Sequence, residues 1–381
     1  MRIDRRVIAH FDWNLFWITM LVPLMGLVVL YSAGFDPDAK KVLPQWIPDF
    51  LQVRAMLKQV LFIGGGLAVM LFAISLPPSF LSRSAYFIYG ACIVLLIAVL
   101  LFGTVVNGSR RWLAFGGFNL QPAEPMKFAL ILALARHFSR KPPGREGYRF
   151  LQLITPFLIF LIPMGLIMRQ PDLGTALVVG AIGFAMTLFM GIRVKPLVIM
   201  ISTILLAVYP AWHMLHDYQQ RRIMTLLNPE SDPLGAGYHI TQSKIAVGSG
   251  GFMGKGFMQG TQTQLEFLPE HTTDFIFSVL AEEWGFVGCL LVLGVYSLLL
   301  YRLLLVVLRS KDVFQALVVF GVTVQIFLHT TINIGMVIGI FPVVGIPLPL
   351  FSYGGSSVLS TMFAIGIVLG VAMRRFAFVK S

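Results

Sequence analysis

The sequence predicts an all-α, polytopic membrane protein, and three observations carry that prediction. Of its 381 residues 57% are hydrophobic and 12% charged, which is more apolar surface than a soluble core can hide. Mostly apolar runs of about 17–25 residues, long enough to span a bilayer as helices, recur ten times along the chain. Lys and Arg gather in alternate connections between those runs, as they do on the cytoplasmic side of membrane proteins.

The first run, 13–33, places Trp13 and Trp17 where an interfacial belt belongs. Arg2, Arg5 and Arg6 precede it in the manner of a signal peptide, but the run is about 20 residues and no small-residue cleavage site follows, so it reads as a retained span. Runs 56–76 and 84–104 come next. The fourth, 122–138, is the shortest, and Pro122 and Pro125 suit a helix start, where missing N–H groups matter least. Runs 150–168 and 173–191 follow, the latter opened by Asp172 in a capping position. Runs 196–215, 273–300, 313–340 and 351–373 complete the set.

With the N-terminus inside, the cytoplasmic stretches hold 17 of the 29 basic residues, counted from Arg2 to Lys380. The longest outward connection, residues 216 to 272, has four basic against five acidic side chains. A missed or invented span would invert this bias downstream. The pattern therefore favours an even number of spans with both termini cytoplasmic. The net charge of +12 reads as topology, helped by anionic inner-leaflet lipid, and gives no sign of nucleic-acid binding.

Two cysteines, Cys92 and Cys289, both fall inside predicted spans, which excludes a disulfide framework. Among seven histidines only His213 and His216, followed by Asp217, come close together, and they read as polar residues at a span's end rather than a metal site. No repeat, low-complexity tract or interdomain linker stands out, so residues 1–381 read as one membrane domain carrying one large extracytoplasmic loop, 216–272. Its glycines, Gly248, Gly250, Gly251, Gly254 and Gly256 among them, fit either close backbone approach to a ligand or ordinary surface turns.

Ionisable groups near or inside spans point to function by default. Asp274 stands at the start of the eighth run, where it is either a first-turn acid stabilised by the helix dipole or a base acting on a lipid-anchored substrate. Glu124 and Lys127, three apart on one face, form either a structural pair or part of a cavity wall. Arg110 and Arg111 beside Trp112 suit a phosphate-bearing head group as well as simple interfacial anchoring. The prolines and glycines between Asn333 and Ser356 mean irregular backbone at membrane depth, which persists only when buried in protein or lining a cavity.

Taken together, Arg110-Arg111-Trp112-Leu113, Gln121-Pro122-Ala123-Glu124 with Lys127, Gln170 to Thr175, Leu268-Pro269-Glu270 through Asp274-Phe275, and the Asn333 to Ser356 segment resemble the SEDS (shape, elongation, division, sporulation) family over essentially the whole chain. Within it, Asp217-Tyr218-Gln219, the Glu230 to His239 stretch and Gly260-Thr261-Gln262 resemble the elongation member more than the division paralogue. Ala123 stands where the family often has Ser, and His271-Thr272-Thr273-Asp274 differs from the commoner His-Thr-Asp spelling; neither departure removes a charge.

The resemblance implies a glycosyltransferase that polymerises lipid II, the undecaprenyl-pyrophosphate-linked disaccharide pentapeptide, into β-1,4 glycan at the outer face of the bacterial inner membrane. It also implies a class B penicillin-binding protein (a PBP2-like transpeptidase) as partner, among other elongation-complex membrane proteins. The family's essential aspartate falls on Asp274. Pyrophosphate leaves more readily than an alcohol, so one base and a cationic cradle suffice, without the second carboxyl group that glycoside hydrolysis commonly needs. Arg110, Arg111 and Lys244 are candidates for that cradle, with Arg221 and Arg222 behind them, a divalent Mg or Mn ion as a possible aid, and Glu124 and Lys127 shaping the cavity. Glu282, eight residues beyond Asp274 and on the same helical face, is the fallback acid, with Glu283 beside it. A lipid II flippase and a non-catalytic scaffold are the rival readings.

Overall fold

The computed structural model describes residues 10–35, 53–106, 109–115, 118–214, 217–232, 235–265, 267–268 and 270–374. Arg2, Arg5, Arg6, Asn107, Gly108, His216, Pro233, Glu266, Pro269, Arg375 and Lys380 lie outside them.

A helix stands at each of the ten predicted runs: α1 (Trp13–Ala33), α2 (Arg54–Ser75), α3 (Pro78–Phe102), α4 (Ala123–Arg140), α5 (Phe150–Met168), α6 (Leu173–Phe189) and α7 (Val194–Met214) come first. The outer connection then folds as α8 (Asp217–Leu227), a 3₁₀ turn (Pro229–Ser231), α9 (Ala236–Ser249) and the single turn α10 (Thr261–Gln264). The last three long helices are α11 (Ile276–Arg309), α12 (Val313–Val337) and α13 (Gly355–Arg374). By length and composition, seven described helices suffice to cross a membrane: α1, α2, α3, α5, α11, α12 and α13. The chain is a multi-pass membrane protein.

The all-α expectation needs one addition. Residues 104–120 form an antiparallel meander, β1 (Thr104–Val106), β2 (Ser109–Phe115) and β3 (Phe118–Leu120), in the order β1-β2-β3. Val105 pairs with Arg110, and Leu113 with Leu120.

The described chain forms two compact units, one within residues 1–75, 224–303 and 326–381, the other within 76–223 and 304–325. In the second, α4 packs against α3, α5 and α6. That enclosure explains how a helix too polar for lipid belongs to a membrane protein: Glu124, Lys127 and the run from Phe128 to Ala135 are all buried. In the first, α13 packs on α2 through small residues. A Cβ on Gly366 would meet the Met70 carbonyl oxygen at 2.6 Å, and one on Gly370 the Ile74 carbonyl oxygen at 3.0 Å. This is the close approach that a Gly-x-x-x-Gly spacing permits between membrane helices. Asp12 caps α1 through the Leu15 N–H (3.1 Å) and pairs with Arg302 of α11 at 2.7 Å.

Gly285 breaks α11, with φ 62° and ψ −158°. In an unbroken helix the N–H groups of Phe286 and Val287 would bond the carbonyls of Glu282 and Glu283. Instead Phe286 and Val287 donate to Gly251 O (3.0 Å) and Phe252 O (3.2 Å), while Glu282 O and Glu283 O accept from Lys255 N (3.0 Å) and Gly256 N (3.0 Å). The glycine-rich turn thus replaces these two helical bonds at the break, which is how irregular backbone survives beside lipid. Its glycines allow a close approach, to the protein's own helix. A Cβ on Gly250 would lie 1.9 Å from Ala281 O, and one on Gly254 2.1 Å from Glu283 O.

Candidate active site

Asp274 lies two residues ahead of α11, in a turn spanning 270–275. Glu270 adopts φ 55°, and its carbonyl accepts from the N–H groups of Thr273 (3.2 Å), Asp274 (3.1 Å) and Phe275 (3.3 Å). Three backbone donors on one acceptor leave the turn little freedom. Outside groups fix it further. His271 Nδ1 lies 2.6 Å from Leu268 O and Nε2 2.9 Å from Ala33 O, which places the ring between its own turn and the end of α1. Tyr353 N–H donates to Thr272 O at 3.1 Å. Asn333, near the end of α12, donates to Asp274 O at 2.9 Å and to Ile346 O at 2.8 Å.

The Asp274 carboxylate rests against Gly345, whose φ is +71° and whose Cβ, if present, would stand 3.4 Å from Asp274 Oδ2. Lys244 uses the same connecting segment: a Cβ on Gly339 (φ +74°) would fall 2.0 Å from Lys244 Cε and 2.6 Å from Nζ. Two glycines of one segment therefore leave room for an acid and a base. The Lys244 ammonium also sits just past the C-terminus of α12, where the helix dipole favours positive charge. Ser243 anchors α9 there, bonding Ser278 Oγ at 2.8 Å and donating to Val337 O at 2.7 Å. His239, one turn earlier, stacks on Phe275 with centroids 6.0 Å apart and rings 15° from parallel. Burial holds its imidazole below the usual histidine range, partly offset by the carboxylates of Glu270 and Asp232.

Arg110, Arg111, Glu124, Lys127, Arg221 and Arg222 belong to the second unit. Arg110 is exposed on β2. Arg111 is engaged: its Nη2 donates to Pro171 O, and its Nε lies 3.9 Å from Asp172 Oδ2. Asp172 caps α6 as the sequence suggested, accepting from Thr175 N at 3.2 Å, and also takes Gln121 Nε2 at 3.3 Å. Glu124 and Lys127 form the anticipated pair at 2.7 Å, with side chains 5% and 1% exposed. On α8, Arg221 is exposed and Arg222 half-buried.

The fallback acid Glu282 has another occupation. It is fully buried, pairs with Lys255 at 2.6 Å and accepts from Thr261 Oγ1 and Gln262 N, each at 3.1 Å. Glu283 accepts from Ser32 Oγ. Glu282 tethers the loop from 255 to 262 and Glu283 ties α11 to α1, and sequence reasoning did not anticipate either role. It also missed α9, although Tyr238 to Ser249 holds no proline and places His239, Ser243 and Ala246 at i, i+4 and i+7, one helical face. Among the described residues no three His, Cys, Asp or Glu side chains gather as a metal cage.

A multi-pass helical membrane protein with a rigidly held carboxylate two residues ahead of a long helix, and an ammonium packed on the same connecting segment, defines a class: an integral-membrane protein with a candidate active site. Residues 12–376 match the family model of FtsW, RodA and SpoVE, described as "Cell cycle protein", and the chain belongs to that family. It is 42% identical over 366 residues to peptidoglycan glycosyltransferase MrdB of Escherichia coli K12, covering 95% of each chain. It is 37% identical over 381 residues to the MrdB of Helicobacter pylori J99, covering 99% of this chain and 94% of the relative. Among solved structures, one described as "Structural coordination of polymerization and crosslinking by a peptidoglycan synthase complex" has a TM-score of 0.80 and 34% identity, covering 96% of this chain and 98% of that one. Thermus thermophilus rod shape determining protein RodA has a TM-score of 0.70 and 30% identity over the same shares.

Proposed function

We propose that this chain, a peptidoglycan glycosyltransferase, polymerises lipid II with Asp274 as general base. The observation that carries the reading is the placement of Asp274 and Lys244 on one glycine-lined segment, the acid against Gly345 and the ammonium against Gly339. Asp274 takes the proton of the acceptor sugar's 4-hydroxyl as that oxygen attacks the donor's anomeric carbon. The C–O bond to pyrophosphate breaks on the opposite side, inverting the configuration, and the lipid pyrophosphate leaves with the electron pair. Lys244 neutralises its growing charge. Arg110, Arg111, Arg221 and Arg222 are further phosphate candidates on the strength of the sequence.

A magnesium or manganese ion, if bound, would supply neutralisation of the leaving pyrophosphate. A class B penicillin-binding protein is the proposed partner, in keeping with the polymerising and crosslinking complex that the chain resembles. The active site faces outward and both termini lie in the cytoplasm, on the strength of the charge asymmetry.

Purified protein, with and without that partner, should convert labelled lipid II into glycan, and a chelator should slow the reaction if a divalent ion assists. A lipid II flipping assay in proteoliposomes, run beside it, separates the transporter reading. Flipping without polymerisation under every partner and cation condition would overturn the proposal.

A further inference from the structure

Asn333 holds the main chain of Asp274 through its side-chain amide. Its side-chain amide has two hydrogens, and each has a backbone acceptor: Asp274 O at 2.9 Å and Ile346 O at 2.8 Å. Ile346 follows Gly345, the glycine against which the Asp274 carboxylate rests. One planar group therefore ties the main chain of the acid to the main chain of the surface beneath it, across 59 residues of sequence on one side and 13 on the other.

Asn333 is 0% exposed, so bulk water does not compete for either carbonyl. Its Oδ1 is buried without a hydrogen-bond partner. Buried amides usually satisfy both ends, and here only the donor end of Asn333 is engaged. His271, Tyr353 N–H and the Glu270 carbonyl restrain the rest of the turn, and Asn333 bonds Asp274 itself from α12.

We infer that Asn333 is a positioning residue, whose forked donation sets the distance and angle of the Asp274 carboxylate for proton abstraction. The inference rests on the reading of Asp274 as the base. A displacement of about 1 Å in a catalytic group can cost about 100-fold in rate, so the expected effect falls on kcat and spares substrate affinity.

The test uses the full chain with lipid II as probe, measuring kcat, KM and direct lipid II binding for Asn333→Leu, Asn333→Ser and Asp274→Asn. Asn333→Leu keeps the branched shape and heavy-atom count, though it is bulkier, and removes both donors. It should lower kcat about 10- to 100-fold while lipid II binding stays within about twofold of wild type, a change of under about 0.5 kcal/mol. Asn333→Ser leaves space for a bridging water and should fall between the two, so it keeps the inference testable if the leucine variant does not fold. A role in packing alone predicts the reverse order, with Asn333→Leu close to wild type and Asn333→Ser impaired. That order, or binding lost in step with rate, would overturn the inference. Asp274→Asn separates the layers. If it stays active, the reading of Asp274 fails; if it is inactive while both Asn333 variants keep their kcat, only the positioning inference fails.

Discussion

Asp274 is held in position by the backbone and side chains of several segments. Glu270 with positive φ closes the turn, Gly345 offers a surface without a Cβ, and Asn333 bonds the carbonyl. His239 adds a testable pH dependence. Its folded value lies below the usual one because burial disfavours the imidazolium. The undocked state therefore takes up a proton first, so docking of α9 is fully supported above about pH 6.5 and weakens as pH falls below it toward the folded value. Hydrogen exchange, corrected for intrinsic rates, should show α9 losing protection between about pH 7.5 and about pH 5.5, and His239→Phe should remove that dependence. Unchanged dependence in the variant would assign it to another group. The sequence makes an acid at a span's edge visible because charge beside lipid is rare. Asn333 was visible only as part of an irregular segment, since a side chain that bonds distant carbonyls leaves no periodic signal.

At the scale of elements, hydrophobic runs located the long helices because each must meet lipid or a packed neighbour along its whole length. The runs 13–33 and 150–168 coincide with α1 and α5. Run 273–300 was cut short, since α11 continues through Arg302 to Arg309, where a long basic side chain tolerates a helix end near water. The meander at 104–120 escaped because its strands are short and alternate too briefly to register. The glycine turn fitted either a ligand or ordinary surface turns in the sequence, and the structure seats it against the broken helix α11. Gly285→Ala should therefore be costly, because its φ of 62° is strained for any side chain and its Cβ would meet Gly254 N at 2.3 Å. A loss of at least about 1–3 kcal/mol should lower the thermal unfolding midpoint in detergent; a midpoint at the wild-type value would refute the exchange of bonds at the break. In α4, Lys127→Met strands the Glu124 carboxylate in a buried site, a cost of about 3–5 kcal/mol. Pairing it with Glu124→Gln should restore much of the stability, and failure to do so would show that the charges serve more than each other.

Across the whole molecule, two compact units share a chain that passes between them repeatedly, a division no linker announced. Charge asymmetry supplies the expected orientation. With Cys92 and Cys289 replaced, a cysteine at Gly144 should react with a membrane-impermeant maleimide only from the cytoplasmic side, and one at Thr241, exposed on α9, only from outside. Reversed labelling would place the Asp274 turn on the wrong face for lipid-linked wall precursors. The central claim concerns that one carboxylate. Single-turnover polymerisation of saturating lipid II by wild-type and Asp274→Asn protein tests it most directly, because binding is already complete and the rate reports the chemical step. The account predicts a fall of about 10²- to 10⁴-fold, the usual contribution of a general base, with lipid II still bound. An Asp274→Asn rate within tenfold of wild type would contradict it.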